Sequence, residues 1–346
     1  MNQQIQGRRH FIKQVSLAGI GAVVYRSEKS SADIFKIIQN TKSGKRIGII
    51  GLDTSHSTEF VKALNNPNAD ALFLGYKVVA AYPYGSRSIK SSMDRIPAYT
   101  EEVKKAGVEI VDSIDKLLNT TDVILLETND GNPHLEQALQ VIKAGKTVFI
   151  DKPVAASLKD VITIYKTAKQ ANVPLFSSSS LRYTTITQQI AAGKTIGRVL
   201  GADSYSPCEF EPSHPDFFWY GIHGIEQLYT VMGKGCVSVS RTEVGKSHVV
   251  TGIWDGDRIG TFRGLQQGKA GYGGTAFGET GITALGGYDG YNMLLQQVIN
   301  FFEKGIAPIA AEETIEIYAF MEAADESKRQ GGKSISIKET LLNASR

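Results

Sequence analysis

From about residue 45 to residue 178, apolar residues alternate between short continuous runs and stretches with a three-to-four-residue period. The runs at 45–51, 77–81, 108–111, 122–126, 147–150 and 173–176 read as strands. The periodic stretches at about 57–64, 113–118, 133–144 and 157–171 read as helices. Residues 89–106 form a polar, partly helical excursion. Continuous apolar strands alternating with helices predict a parallel sheet buried on both faces. The pattern changes after residue 178. Strands are expected at about 199–206, 236–244, 247–254 and 257–263, with more near 270–286 and one helix interrupting them around 219–228. Helices follow at 291–303 and within 308–330, after an earlier one at 185–192, and 335–337 closes the chain. The expected fold is α/β, with a Rossmann-type parallel-sheet domain at 45–178. An α+β substrate and oligomerisation domain with an open, largely antiparallel sheet follows at 179–346.

Composition narrows the function classes. The chain has 346 residues and a formal charge of +3, and its 38 basic residues are scattered, so no nucleic-acid-binding face is expected. Cys208 and Cys236 show no metal-ligand pattern, and neither do His214 and His248, so no metal is expected. Residues 7–13, Gly-Arg-Arg-His-Phe-Ile-Lys, precede a short apolar run and read as a twin-arginine export signal. That run is too short for stable membrane insertion. Residues 1–44 are therefore signal and linker, and a periplasmic or otherwise exported protein is expected.

The stretch 122–154 concentrates the chemistry. It reads strand, loop, helix, strand and then Asp151-Lys152-Pro153, one parallel βαβ unit with both loops at carboxyl strand ends, where such sheets bind ligands. Pro153 restrains Lys152 at a corner, where a lysine can serve as a general acid/base or simply sit on a surface turn. Thr128, Asn129, His134, Ala144-Gly145-Lys146, Val148 and Asp151-Lys152-Pro153 together resemble the T-x-N-x-x-H, A-G-K-x-V and E-K-P motifs of the glucose–fructose oxidoreductase / inositol dehydrogenase (Gfo/Idh/MocA) family. The asparagine-to-histidine spacing is longer here, and Asp151 replaces a glutamate. The resemblance implies a nicotinamide-dependent sugar or polyol dehydrogenase in which Lys152 touches substrate and cofactor. It also implies a homo-oligomer and a C-terminal helix that packs back on the first domain.

A dinucleotide loop wants G-x-G-x-x-G. Counted from Gly51, Asp53 and His56 stand at the later glycine positions, leaving Thr54, Ser55 and the amides of the following helix to bind phosphate. After the second strand, Ser86 and Arg87 can accommodate a 2′-phosphate or form a plain turn, so the expected cofactor is NAD or NADP. In family members the chain at Arg182 and Tyr183 crosses the mouth of the site, which makes both candidate substrate contacts. Trp219-Tyr220-Gly221-Ile222-His223-Gly224-Ile225-Glu226 resembles the family's D-x-G-x-H-x-x-D, with Trp219 where the first aspartate belongs. His223 is the candidate that orients the substrate hydroxyl, Trp219 and Tyr220 can stack on a sugar, and Glu209, Glu211 or Asp216 can replace the missing acid. The leading expectation is an oxidoreductase acting on a carbohydrate or polyol hydroxyl. A redox-neutral NAD-dependent glycoside hydrolase or lyase and a non-catalytic sugar-binding protein are the alternatives.

Overall fold

The computed structural model describes residues 44–346, so the export-signal motif lies outside the described residues. The first sheet contains β1 (Arg46–Ile50), β2 (Lys77–Tyr82), β3 (Glu109–Ile110), β4 (Val123–Leu126), β5 (Thr147–Ile150) and β6 (Leu175–Ser177), ordered β3-β2-β1-β4-β5-β6. All its pairs are parallel. The connecting helices are α1 (Ser55–Asn65), α2 (Lys90–Met93), α3 (Ile96–Lys105), α4 (Ile114–Thr120), α5 (His134–Lys143) and α6 (Leu158–Gln170). Helix α1 starts two residues earlier than its periodicity predicts, because Thr54 caps it by accepting the His56 amide. Ser113 and Ser157 cap α4 and α6 in the same way. Strand order reverses between β1 and β4, which opens a crevice at their carboxyl ends.

After a 3-10 turn at Ser180–Tyr183 and helix α7 (Thr185–Ala191), the second sheet begins. Its strands are β7 (Val199–Pro207), β8 (Cys236–Val244), β9 (Ser247–Trp254), β10 (Arg258–Leu265), β11 (Gly273–Gly278), β12 (Ile282–Leu285) and β13 (Ile335–Ser336), ordered β12-β11-β7-β10-β9-β8-β13. Only β7 and β10 pair in parallel. Helix α8 (Ile222–Met232) lies on one face of this sheet. Gly224 permits its close approach, since a Cβ there would meet the Phe262 ring at 2.6 Å. Leu200, Tyr205, Ile253, Ile259 and Phe277 remain exposed on this sheet, alternating with buried neighbours.

The last helices are α9 (Asn292–Lys304), α10 (Ala311–Arg329) and α11 (Ile337–Ala344). The last of these departs from expectation, since the chain does not close on β13. The resemblance implies a late helix packing back across the first domain, and in α9 Leu294, Leu295, Val298, Phe301 and Phe302 pack against Ile47, Ile49, Phe149 and Phe176 of the first sheet. Residues beyond 178 thus complete the first core as well as the second. Helix α10 joins both cores by packing on β8 and on α6. Among the described residues, no helix is long and apolar enough to cross a membrane.

Phe301 sits edge-on to Phe176 with centroids 4.7 Å apart and is fully buried. Phe301→Ala should cost about 3–5 kcal/mol of stability through lost burial and an unfilled cavity. Urea unfolding measures this, and a loss below about 1 kcal/mol would contradict the account of α9.

Candidate active site

A cavity of about 440 Å3 lies over the carboxyl ends of β1, β4 and β5. Thr54, Ser55 and His56 reach it from the start of α1, and Asn129 and Lys152 from the loops after β4 and β5. Trp219, Tyr220 and His223 reach it from the start of α8. That size suits a small molecule. The structure thus brings together five of the expected cofactor residues, three of the expected substrate residues and both expected catalytic residues. Arg95, Tyr99, Tyr272, Tyr288 and Tyr291 also line the cavity. Sequence reading missed them because α3 and the loops at 272 and 288–291 carry no motif.

The altered glycine loop folds around Asp53. Gly51 keeps its role, with φ at +92° and so little room that a Cβ would meet Thr128 at 2.6 Å. Asp53 points away from the cavity and is fully buried. Its carboxylate accepts the Ser86 amide at 2.7 Å and the Asn129 amide at 3.0 Å. Burial raises its pKa against the effect of these two amides. Asp53 therefore ties the loops after β1, β2 and β4 together without facing a ligand.

The second-strand turn is absorbed by this tie. Ser86 is buried and donates its hydroxyl to Asp130 at 2.7 Å, while Arg87 faces outward toward Glu136. Neither reaches the cavity, so the expected 2′-phosphate contact by Ser86 and Arg87 is not formed. Arg95 joins Lys152 at the cavity wall, and its guanidinium also donates to the Asp53 carbonyl at 3.4 Å.

Lys152 is almost fully buried, and its peptide with Pro153 is cis. Several expected ligand contacts brace this corner instead. Burial lowers the His134 pKa, and its Nε2 lies 2.8 Å from the Thr128 carbonyl and its Nδ1 3.2 Å from the Val154 carbonyl, so a neutral ring donates to one of them and packs against the other. His134 thereby locks the loop after β4 to the turn after β5. The Thr128 hydroxyl donates to Gln137 at 2.9 Å. Asp151 is fully buried beside His56. Asp53, Ser86, Thr128 and His134 are thus corrected from ligand contacts to supports, because each side chain is used internally, and Arg87 pairs with Glu136 outside the cavity; Gly51 shapes the turn, and Asp151 stays buried beside His56.

His223 is held from behind. Its Nδ1 lies 2.7 Å from the Ser179 hydroxyl, which itself accepts the Leu181 amide. Burial, with Lys152 and His56 nearby, pulls its pKa well below the ordinary value, so the ring is neutral. Glu226 accepts from the Ser178 hydroxyl at 2.6 Å, the Ser179 amide at 2.8 Å and Arg182 Nε at 2.8 Å. Arg182 is buried and also pairs with Glu313 at 2.7 Å, and Tyr183 packs in the α9 core. The expectation that Arg182 and Tyr183 touch substrate is corrected: both lie behind the wall that presents His223. Of the acids considered as substitutes for the missing aspartate, Glu209 lines the cavity, whereas Asp216 pairs with Arg241 and Lys328.

Comparisons with known proteins fit this geometry. Residues 45–179 match the GFO_IDH_MocA family, described as an oxidoreductase family with an NAD-binding Rossmann fold. The segment 45–179 is thus a domain of the Gfo/Idh/MocA oxidoreductase type. It is 32% identical over 120 residues to a 1,5-anhydro-D-fructose reductase of Ensifer adhaerens, covering 33% of this chain and 35% of that one. It is 24% identical over 140 residues to the uncharacterized oxidoreductase YhhX of Escherichia coli, covering 37% and 40%. The matches thus span less than half the length of these curated relatives. Similar solved structures include the myo-inositol 2-dehydrogenase of Lactobacillus plantarum, with TM-score 0.68 and 17% identity over 85% of this chain and 99% of that one. Another is GenD2 from gentamicin A biosynthesis in complex with NAD, with TM-score 0.67 and 14% identity over 86% and 97%. These likenesses extend the fold assignment through the second sheet.

The residues present fit a dinucleotide. The start of α1 opens onto the cavity beside Arg95, giving the positive end of a helix and a cation for a phosphate. The Gly51 turn is retained, and the Asp53 charge is turned away.

His214 joins the second domain to the loop after β4 by accepting the Gly131 amide on Nε2 at 3.0 Å. Burial lowers its pKa, so the folded protein holds this ring neutral. Below about pH 6.5 the unfolded chain binds a proton there that the folded chain resists, and stability falls as pH drops. His214→Asn keeps an acceptor without this titration. Relative to the variant, the wild type should lose up to about 1 kcal/mol between pH 7.5 and 5.5 in urea unfolding; identical pH responses would contradict the assignment.

Proposed function

We propose that this protein is an NAD-dependent oxidoreductase acting on a hydroxyl group of a carbohydrate or polyol. The observation that carries this reading is that Lys152 and His223 line one cavity with the start of α1 and an aromatic wall. The nicotinamide, when bound, supplies the carbon that accepts or returns hydride. Lys152 takes the hydroxyl proton at its amine. Ser179 can donate its hydroxyl proton to Nδ1 of His223, because its oxygen already accepts the Leu181 amide. The neutral ring then keeps Nε2–H as a donor toward the substrate oxygen. Trp219 and Tyr220 offer apolar surface to the C–H face of a sugar ring, and Glu209 is the carboxylate that takes up the role of the missing aspartate. With Ser86 and Arg87 turned away, no cation from the second-strand turn answers a 2′-phosphate, which favours NAD over NADP.

Two further expectations belong to this reading. The Arg8-Arg9 motif supports export of the folded, cofactor-loaded protein, and the exposed apolar positions of the second sheet support a homo-oligomer built through that face.

The test is nicotinamide reduction, followed by absorbance, across a panel of polyols and sugars. Lys152→Ala should lower turnover by at least about 10²–10⁴-fold, while the rise in melting temperature on adding NAD persists. Undiminished turnover would rule out the lysine as proton relay.

A further inference from the structure

Beneath Lys152, three side chains converge at adjoining strand ends. Glu127 follows β4 and Asp151 follows β5, and the last residues of those strands, Leu126 and Ile150, are register partners. His56 enters from the first turn of α1. One ligand atom from each of the three lies within 4.8 Å of the others, and all three residues are buried.

Five polar atoms in this cluster are buried without a hydrogen-bond partner: His56 Nδ1, both Glu127 oxygens and both Asp151 oxygens. His56 Nδ1 comes within 2.8 Å of Asp151 Oδ2, but the two are not aligned as donor and acceptor. Leaving so many buried polar atoms unpaired in one place is costly, at about 1–3 kcal/mol for each group, more where it is charged. A close nitrogen–oxygen approach without hydrogen-bond alignment is what two ligands of one ion adopt.

We propose that His56, Glu127 and Asp151 bind a divalent transition-metal ion of the Zn2+ or Mn2+ class at the floor of the cleft. Two carboxylates match the charge of the ion, and an imidazole among carboxylates selects such metals over Ca2+. Bonds of about 2.1 Å require only small rotations from the present spacing. His56 lines the cavity, so the ion's remaining positions face the ligand space. The Lys152 ammonium is the opposing charge nearby and restrains affinity. In the ion-free protein, burial and the neighbouring Asp151 raise the Glu127 pKa well above the ordinary value.

This site stands apart from the dehydrogenase reading, and its test needs no turnover. The full chain, stripped with chelator, is titrated with Zn2+ alone and Mn2+ alone by calorimetry and melting temperature. The expected result is one ion per chain and a higher melting temperature. In Glu127→Gln and His56→Asn, affinity should fall at least about tenfold. Because these variants can misfold, wild-type protein is also titrated with Co2+ and followed by proton NMR, which should display hyperfine-shifted protons of one histidine at saturation. No ion at millimolar concentration, unchanged affinity in folded variants, or no shifted histidine would each overturn the site.

Discussion

The cleft depends on the Asp53 carboxylate, buried where a dinucleotide loop ordinarily has a glycine. Its two backbone acceptor bonds join the loops after β1, β2 and β4, which carry nearly all of the ligand-facing groups on that side. Removing a buried acceptor of this kind would strand two amides at once. The glycine usual there leaves space for a phosphate, whereas here that space is filled, and the α1 start and Arg95 are what line the cavity beside it. One substitution thus explains why Ser86 is buried, why Arg87 faces outward and why Arg95 faces the cavity.

The opposite wall follows the same logic with different chemistry. Glu226 gathers Ser178, Ser179 and Arg182, and Ser179 in turn fixes His223. His223 is therefore aimed by a buried ionic network centred on Glu226 of its own helix. Packing carries this precision across the molecule, since Tyr318 of α10 accepts the Val154 amide just beyond the Lys152 corner. The two halves of the cleft are held by shared cores, with α9 and α10 closing on the first domain.

The fold was legible because its signals are local. Continuous apolar strands, capped helices and Gly51 define β1 to β6 without tertiary information, and the alternation in β7 to β10 identifies the second sheet. That a late helix packs back on the first domain was implied by the resemblance, but that α9 is the one filling this core was not legible, because an amphipathic helix does not declare which sheet it covers. At the site, Lys152, His223, Asn129 and the α1 start were readable from motif position. The supporting roles of His134, Asp151 and Arg182 were not, because a polar residue beside a cleft looks the same in sequence whether it faces the ligand or the protein. Arg95 and the tyrosines lie on elements that only folding brings to the cavity.

The central claim is that the cleft holds a nicotinamide dinucleotide despite its altered loop. The most direct measurement denatures protein folded inside the cell, removes the chain and identifies any released nucleotide by absorbance and mass, with added NAD and NADP compared by melting temperature on the emptied protein. The account predicts released NAD, or a melting point raised more by NAD than by NADP. A protein that releases no nucleotide and whose melting point neither cofactor moves at millimolar concentration would contradict it.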